Sequence, residues 1–322
     1  MPEEPRGATV AVIGAGYTAK EHLRAFRDCA GVTLAGIFSR TRDRAQALAS
    51  EFAIPLVCDS VDELFERTQA DLVVVTVNEL SMLPVATECF RFPWTALLEK
   101  PPGIDLAAAR KLQAAASASA RRVFVALNRR TMSSTLAVRV ALQSEPGPRF
   151  IKVQDQEDPA RALAAGQPPE VVANWMFANS IHVIDYFAQF ARGRVLEVRN
   201  VIPWEAADPK VVVSKITFDS GDIGLYEGIW RGPGPWAVSV TTPGRRWELR
   251  PLEQAVAQGL GHKPEPLPSH PWDAQFKPGY RLQAELAAAA ALGKEPAGAG
   301  GTLATLETAV GTMELIHAIF RP

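Results

Sequence analysis

The sequence predicts an α/β protein of two domains, a doubly wound parallel sheet over residues 1–128 and an α/β domain with a mostly antiparallel sheet over residues 129–322. Three observations support this prediction. The length of 322 residues suits about two domains, since domains commonly have roughly 150 residues. The first part alternates short apolar runs with amphipathic segments. From Val195 to Leu249 the apolar residues instead recur with a period of two, interrupted by turns.

The first part contains continuous apolar strands separated by helices. The predicted strands are Val10–Ile13, Val32–Phe38, Leu72–Val77, Thr95–Leu98 and Val123–Leu127. The predicted helices are Thr18–Cys29, Arg42–Phe52, Ser81–Phe90 and Leu106–Ala118. Strands without polar alternation are buried on both faces, which is typical of parallel sheets, and right-handed crossovers then produce the doubly wound arrangement.

The second part contains two predicted hairpins. Val211–Phe218 and Ile223–Trp230 flank an Asp-Ser-Gly-Asp turn, and Trp236–Val240 and Trp247–Leu249 flank a Thr-Pro-Gly-Arg turn. Hairpins of this kind indicate a mostly antiparallel sheet. The predicted helices of this part are Ser133–Gln143, Ile181–Ala191, Tyr280–Leu292 and Leu303–Phe320.

Composition excludes several classes of protein. There are 34 basic and 35 acidic residues, for a formal charge of −1, which argues against a general nucleic-acid binder. The cysteines, Cys29, Cys58 and Cys89, lack metal-site spacing and are expected to be buried free thiols in a reducing compartment. The segment MPEEPRGA is not a signal peptide, and the apolar runs are too short to span a membrane. We therefore expect a cytoplasmic protein with no metal, membrane or nucleic-acid partner.

A glycine-rich turn follows the first strand. Gly14, Gly16 and Ala19 form a G-x-G-x-x-A pattern between that strand and a helix. The first glycine permits a tight turn, the second lets the backbone approach a diphosphate, and the alanine lets helix and strand pack closely. The helix N-terminus, with Tyr17 and Thr18, adds unpaired N–H groups and a positive dipole end. The pattern predicts a dinucleotide site, and the alternative is a turn without a ligand.

The residues after the second strand bear on the choice of cofactor. Dinucleotide sites of this type commonly have an acidic residue there for the ribose hydroxyls, whereas this chain has Ser39 and Arg40. An arginine can pair with a 2′-phosphate or stack on adenine. The pattern therefore favours NADP over NAD, and the alternative is a solvated arginine at a strand end.

Several motifs together resemble one family. They are the glycine turn, Thr76-Val77-Asn78, Glu99-Lys100-Pro101, Asn128-Arg129-Arg130, His182-Val183-Ile184-Asp185 and Thr312-Met313-Glu314-Leu315. In this combination the chain resembles the glucose–fructose oxidoreductase / inositol dehydrogenase (Gfo/Idh/MocA) family over nearly its whole length. The resemblance implies an N-terminal Rossmann domain, a C-terminal domain with a large open sheet, and a homodimer or homotetramer formed through that sheet.

The resemblance also implies roles for residues of the first domain. Lys100 is expected near nicotinamide and the reacting carbon, where an ammonium group stabilises charge on the substrate oxygen. The proline that follows it suits a rigid and even cis peptide. Thr76, Asn78, Glu99 and Lys100 are expected to contact the cofactor. The alternative for Glu99 and Lys100 is an exposed charged pair before a turn.

His182 is the expected proton donor or acceptor. If Asn179 or Ser180 caps a helix, His182 lies in its first turn, where the helix dipole keeps imidazole neutral and suited to general base catalysis. Asp185 lies at i+3 on the same face and is expected to orient the ring.

The chain departs from the family at one position. Many members have an aspartate four residues before this histidine, whereas this chain has Ala178. His182 would then act alone, with Asn179, or with a carboxylate from elsewhere, or the activity is weakened or different. His22, on the first predicted helix, is expected to take no part in catalysis.

Amides and aromatic rings near these motifs indicate a small sugar-like substrate. The candidate contacts are Asn128, Arg129, Asn174, Trp175 and Asn179. Trp236 and Trp247 are expected to be core residues. The sequence thus predicts an NAD(P)-dependent oxidoreductase for a sugar, nucleotide sugar or cyclitol. The alternatives are a non-catalytic dinucleotide or sugar sensor and cofactor-assisted elimination or glycoside cleavage.

Overall fold

The computed structural model describes residues 6–294 and 302–321, and these form two compact units. The first unit runs to Thr131 and resumes over Pro271–Val310, and the second comprises Met132–His270 and resumes at Gly311. The sequence division between residues 128 and 129 lies close to the first of these boundaries. It left residues 271–310 in the second domain, whereas the described residues of that range belong to the first unit.

The first unit alternates strands and helices along the chain. Its elements up to Thr131 are β1 (Ala8–Ile13), α1 (Tyr17–Arg27), β2 (Val32–Phe38), α2 (Arg42–Phe52), β3 (Leu56–Cys58), α3 (Val61–Thr68), β4 (Leu72–Val75), α4 (Glu79–Cys89), β5 (Thr95–Leu98), α5 (Leu106–Ala118), β6 (Val123–Val125) and a 3₁₀ turn (Asn128–Thr131).

The second unit begins with a helix and then builds a large sheet. Its elements up to His270 are α6 (Ser133–Gln143), β7 (Phe150–Glu157), α7 (Pro159–Ala164), α8 (Pro169–Ala173), a π-helical turn (Met176–Ser180), α9 (Ile181–Ile184), α10 (Tyr186–Phe190), β8 (Val195–Ile202), β9 (Val211–Phe218), β10 (Ile223–Trp230), β11 (Ala237–Thr241), β12 (Arg245–Leu249), β13 (Ala255–Gly259) and β14 (Glu265–Pro266). The chain ends with α11 (Trp272–Gln275), α12 (Tyr280–Ala291), β15 (Ala304–Thr305) and α13 (Leu306–Ile319).

The sheet of the first unit has the strand order β15-β6-β5-β4-β1-β2-β3. The strands from β1 to β6 pair in parallel, and β15 pairs antiparallel with β6. The order reverses direction at β1 and β4, which is the Rossmann arrangement, and ligands of such sheets bind at this switch point beyond the carboxyl ends of the strands. The predicted doubly wound fold is confirmed.

Helix α12 completes the core of the first unit. Its apolar face packs into the same core as β1 and α1, with Tyr280, Ala284 and Ala287 buried beside Val10 and Leu23. The small alanine side chains allow close approach of the helix to the sheet. This explains why the chain returns to the first unit after the second unit is built.

The sheet of the second unit has the order β14-β13-β12-β11-β7-β10-β9-β8. Both predicted hairpins are present, and the strand pairs are antiparallel except β7 with β10. The predicted mostly antiparallel sheet is confirmed. Burial alternates along β7, β9 and β10, so one face is covered by helices. That alternation places Asp155 and Glu157 on the covered face with Ile151 and Val153.

Several details differ from the sequence analysis. β3, α3 and β7 were missed, because the first two are short and β7 carries charged or amide side chains at five of its eight positions. The predicted helix Ile181–Ala191 begins earlier, as a π-helical turn at Met176, and is divided. The three cysteines are buried and free. In the described part of the chain, no helix is long and apolar enough to cross a membrane.

Candidate functional site

The glycine turn between β1 and α1 is shaped by contact with the end of β4. Gly14 has a φ of 106°, and a Cβ there would lie 2.5 Å from Thr76 Oγ1 and 2.6 Å from its carbonyl oxygen. Thr76 also donates from its backbone N–H and its hydroxyl to the Ile13 carbonyl, at 2.7 and 2.9 Å. A glycine is therefore required at 14, and Thr76 supports the turn from behind.

The other side of the turn is open. Among the residues that the structure describes, no atom outside the adjacent residues lies within 4 Å of where a Cβ of Gly16 would be. Gly16 is the N-cap of α1, and Tyr17, the first residue of the helix, is 69% exposed. Thr18 is half-buried, and Ala19 is fully buried against the core. The unpaired N–H groups of the first helical turn thus border free space of the kind that a diphosphate requires.

Ser39 and Arg40 lie beyond β2 on the surface. The Arg40 guanidinium donates to Ser81 Oγ at 3.1 Å, and the Ser39 hydroxyl accepts from the Thr41 N–H at 3.3 Å. Asn78 caps α4, since its Oδ1 accepts from the Ser81 N–H at 2.9 Å. Arg40 and Asn78 therefore meet at the first turn of α4.

Glu99 is buried at the end of β5 within a hydrogen-bond network. Its Oε1 lies 2.8 Å from His22 Nε2 and accepts from the Tyr280 hydroxyl at 3.2 Å, while Oε2 accepts from the Lys100 N–H at 3.1 Å. Burial tends to raise the pKa of Glu99, but the hydrogen bond and charge of His22, with Lys100 and Lys277, hold that pKa below its ordinary value. Glu99 is therefore a stable carboxylate.

Lys100 is half-buried and follows Glu99 directly. The peptide bond between Lys100 and Pro101 is cis, in agreement with the expectation for this proline. Burial lowers the pKa of the Lys100 ammonium, and repulsion from Arg129 and Lys277 adds to the effect, while Glu99 opposes it. Lys100 thus belongs to a cluster of cations around one buried carboxylate.

Lys277 was not anticipated from the sequence. Its Nζ donates to the Tyr280 hydroxyl at 3.1 Å and lies 5.5 Å from the centre of the Tyr17 ring. Asn128 holds this segment, because its Nδ2 donates to the Pro278 carbonyl at 2.9 Å. Burial lowers the pKa of Lys277, and repulsion from Arg129, in the same 3₁₀ turn as Asn128, adds to the effect, while Glu99 opposes it.

Helical backbone in the second unit begins before Asn179. Trp175 and Ser180 both have right-handed helical dihedral angles, so neither Asn179 nor Ser180 caps a helix. The expectation that His182 lies in a first helical turn is therefore wrong, because the π-helical turn precedes it. The argument for a neutral imidazole from the helix dipole no longer applies.

His182 is half-buried beside Trp236, with ring centres 6.2 Å apart. Asp185 is buried and its Oδ1 accepts from the Thr312 hydroxyl at 3.0 Å. Asn174 donates to the Glu170 carbonyl at 3.0 Å.

The amide of Asn179 and the indole of Trp175 meet at a residue that the sequence analysis missed. Trp175 Nε1 donates to Glu157 Oε2 at 2.6 Å, and Asn179 Nδ2 lies 3.0 and 2.8 Å from Oε1 and Oε2. Glu157 lines an open cleft of about 450 Å³ with Trp175, Asn179, Trp236 and residues of α7 and its flanks. Trp236 was expected in the core but is half-buried here, whereas Trp247 is fully buried as predicted.

The missed residues differ in the signals they left. The alternation in Phe150–Glu157 places Asp155 and Glu157 with apolar residues on one face, which was a readable signal. His22 and Lys277 carried none, because their relation to Glu99 depends on how α1 and the start of α12 pack. No group of three or more His, Cys, Asp or Glu side chains that could hold a metal ion occurs within residues 6–294 and 302–321.

Comparison with known proteins agrees with the fold of the first unit. Residues 8–127 match the model of the Gfo/Idh/MocA family, described as an oxidoreductase family with an NAD-binding Rossmann fold. Comparison with curated proteins gives no match.

Solved structures share the fold over almost the whole chain. The chain is 16% identical to UDP-N-acetylglucosamine 3-dehydrogenase GnnA from Acidithiobacillus ferrooxidans, covering 97% of this chain and 96% of that one, with a TM-score of 0.77. It is 18% identical to aldose-aldose oxidoreductase from Caulobacter crescentus, complexed with glycerol, over 98% and 96%, with a TM-score of 0.80. An oxidoreductase from Agrobacterium radiobacter, in complex with NAD+, L-tartaric acid and magnesium, is 16% identical over 97% and 95%, with a TM-score of 0.73.

Proposed function

We propose that the chain, whose residues 8–127 match the Gfo/Idh/MocA family of oxidoreductases, is an NAD(P)-dependent enzyme for a sugar, nucleotide sugar or cyclitol. A hydride passes between nicotinamide and a carbinol or keto carbon of that substrate. The observation that carries the proposal is the turn of Gly14 and Gly16, closed behind by Thr76 and open in front at the N-terminus of α1.

The residues of the turn are those that hold the cofactor in this proposal. The N–H groups of Tyr17, Thr18 and Ala19 face the open side and bind the diphosphate. Thr76, Asn78, Glu99 and Lys100 follow β4 and β5, at the edge of the sheet where ligands of such folds bind.

Arg40 makes NADP the preferred cofactor in this proposal. Its guanidinium is exposed and held by Ser81, next to Ser39 and Asn78. A 2′-phosphate on the adenosine ribose would pair with it. We expect Arg40→Ala to weaken NADPH binding at least tenfold and NADH binding by less than threefold, measured by cofactor fluorescence. Equal losses for both cofactors would remove the 2′-phosphate assignment.

The bound nicotinamide supplies or accepts the hydride, and the protein provides orientation and charge. We propose that the Lys100 ammonium stabilises negative charge on the substrate oxygen or polarises a ketone. His182 gives or takes the proton, and Asp185 orients it. Asn128, Arg129, Asn174, Trp175 and Asn179 are the proposed substrate contacts. Aromatic rings and amides suit a sugar, and the names of GnnA and the aldose-aldose oxidoreductase refer to such substrates.

The test of the proposed function compares two glycines. In the described part of the chain, no neighbouring atom lies within 4 Å of where a Cβ of Gly16 or Gly244 would be, so alanine fits at both positions without a clash. We expect Gly16→Ala to lower the affinity for NADH and NADPH at least tenfold, since a methyl group then occupies the diphosphate space. Gly244→Ala, on a hairpin of the second unit, is the control and should bind normally. Unchanged binding in Gly16→Ala would contradict the proposal.

A non-catalytic sensor is the second candidate, and Ala178 is the observation that favours it. The family's carboxylate is replaced there by a buried methyl group. Purified protein should be screened with both cofactors against ketoses, aldoses, sugar nucleotides and cyclitols by nicotinamide absorbance. Cofactor binding without turnover of any of these candidates would favour the sensor.

A further inference from the structure

Glu157 combines burial with access to the cleft. It is the last residue of β7, its residue surface is 2% exposed, and it lines the cleft of the second unit. The indole rings of Trp175 and Trp236 border the same cleft. A ligand with an apolar ring face and hydroxyl groups therefore meets aromatic walls and one buried carboxyl group there.

The carboxyl group is fixed by donors on its helical side. Trp175 holds Oε2 at 2.6 Å, and the Asn179 amide reaches both oxygens. The Arg231 N–H donates to the Glu157 carbonyl at 2.8 Å and secures the backbone. Trp175 and Asn179 thus use their N–H groups on Glu157, so their polar atoms position this residue.

A second carboxyl group lies behind the first. Asp155 is 1% exposed, shares a face of β7 with Glu157, and accepts from the Tyr226 hydroxyl through Oδ2 at 2.7 Å. Its Oδ1 is buried and makes no hydrogen bond of ordinary geometry within the described part of the chain. The carboxyl groups of Asp155 and Glu157 interact directly with each other. Two buried carboxyl groups in such contact are not both ionised at neutral pH, because each would repel the other without solvent screening.

The pair therefore retains a proton. Burial and the neighbouring Asp155 charge raise the pKa of Glu157 to about 9, although Asn179 and Trp175 oppose the rise. Burial also raises the pKa of Asp155, opposed by Ser180, Tyr226 and Glu157. The charged or titratable groups around Glu157 are Asp155 on its own strand, Tyr226 and Arg231 from β10 and its end, Asp158 and Arg161 at α7, and His182 beside Trp236.

Glu157 lies near Ala178, the position where this chain lacks the aspartate that many members of the family have. The residue next to Ala178, Asn179, is hydrogen-bonded to Glu157, so a carboxyl group from β7 lies beside the part of the helix where the family has its aspartate. We propose that Glu157 is a second acid–base residue of the reaction, in addition to His182, and exchanges a proton with the reacting oxygen of the substrate. This inference rests on the proposed function.

The step is balanced with the cofactor of the proposed function. In reduction, the hydride of NAD(P)H adds to the carbonyl carbon, and the O–H bond of the Glu157 carboxylic acid breaks as its proton passes to the carbonyl oxygen. The products are the alcohol, NAD(P)+ and the Glu157 carboxylate, which takes a new proton from water in the open cleft. In oxidation, the carboxylate accepts the hydroxyl proton while the hydride leaves the carbinol carbon.

The test is the pH dependence of turnover with the best substrate of the screen. In the wild type, kcat/KM for reduction should fall above about pH 9, because only protonated Glu157 donates, and kcat/KM for oxidation should rise through the same range. We call this pH-dependent change of kcat/KM the alkaline limb of the profile. Glu157→Gln should lose this limb and lower kcat at least a hundredfold, with KM changed less than threefold. The control Glu170→Gln removes an exposed carboxylate of α8 and should keep the wild-type profile.

Two further variants keep the test decisive if Glu157→Gln does not fold. Trp175→Phe removes a donor that lowers the pKa of Glu157, so the limb should move to higher pH. Asp155→Asn removes the charge that raises it, so the limb should move to lower pH. A limb that stays in place in both variants, or that persists in Glu157→Gln, would overturn the role of Glu157.

A measurement without substrate separates this inference from the proposed function. Infrared difference spectra between pH 6 and 10 should show a protonated carboxyl band that Glu157→Gln removes and Glu170→Gln retains. Absence of that band in the wild type at pH 7 would overturn the inference. No turnover by the wild type would overturn the proposed function and the catalytic role together. Turnover with an unaltered limb in Glu157→Gln would overturn the role of Glu157 alone.

Discussion

Glu99 and Glu157 are both buried glutamates, yet their pKa values move in opposite directions. Burial tends to raise both, but His22 and two lysines face Glu99, whereas Asp155 faces Glu157. The nearest charged neighbour therefore decides which carboxyl group is ionised. The first unit holds a fixed anion among cations, and the second holds a carboxyl group that carries a proton at neutral pH.

The raised pKa of Glu157 predicts a pH dependence of stability. Between its ordinary value of 4.5 and about 9, the folded state keeps a proton that the unfolded state releases, so the free energy of unfolding falls as pH rises through this window. Glu157→Gln should flatten that fall. Urea unfolding at pH 5, 7 and 9 measures it, with Glu170→Gln as the control, and an equal pH dependence in all three proteins would contradict the shift.

Lys100→Ala tests the electrostatic role in the first unit. Removing an ammonium group that stabilises charge in the transition state should lower kcat by about 10²–10³, while cofactor affinity changes less than threefold. Steady-state kinetics and cofactor fluorescence provide the two values. Lys111→Ala, on the exposed face of α5, is the matched control. A variant that loses binding and turnover equally would make Lys100 a cofactor ligand instead.

The sequence predicted the strands that have an uninterrupted apolar run or a clear apolar alternation. Four strands begin and end where they were predicted: Val32–Phe38, Thr95–Leu98 and the hairpin strands Val211–Phe218 and Ile223–Trp230. β7 was missed because two carboxylates interrupt its apolar face, while lysine and glutamine side chains occupy the opposite face. That omission also concealed Glu157. The site was predictable where residues are neighbours in sequence, and not where packing of distant elements brings them together.

β10 predicts a packing effect at one glycine. A Cβ at Gly224 would lie 2.7 Å from the Phe187 ring of α10. Gly224→Ala should therefore destabilise the protein by about 1–3 kcal/mol, since the ring or the helix must shift. Gly244→Ala, with no atom within 4 Å of its Cβ, should change stability little. Chemical denaturation compares them, and equal stabilities would contradict the close contact.

β8 is an edge strand with an apolar surface. Val195, Leu196, Val201 and Ile202 are between 43% and 65% exposed. Edge strands with exposed apolar residues commonly pair with another chain. This surface is our candidate contact for the proposed homodimer or homotetramer.

The proposed assembly predicts a change in mass. Light scattering should give a dimer or tetramer for the wild type, and Leu196→Lys should shift the population toward smaller species, because a charge on this surface is costly to bury. Leu260→Lys is the control, since Leu260 is 86% exposed but lies in the turn after β13, away from β8. A monomeric wild type would contradict the proposal.

The first unit is discontinuous in sequence, because Pro271–Val310 belongs to it, and this determines which truncated fragments can fold. A fragment ending at Thr131 would lack Tyr280, Ala284 and Ala287, and so would leave the surface beneath α12 facing water. We expect that fragment to be insoluble or loosely folded by circular dichroism and amide exchange. Splicing Pro271–Val310 behind Thr131 through a short glycine–serine linker should restore cooperative melting. The first unit therefore cannot be expressed as one continuous fragment, because residues encoded more than a hundred codons downstream complete its core.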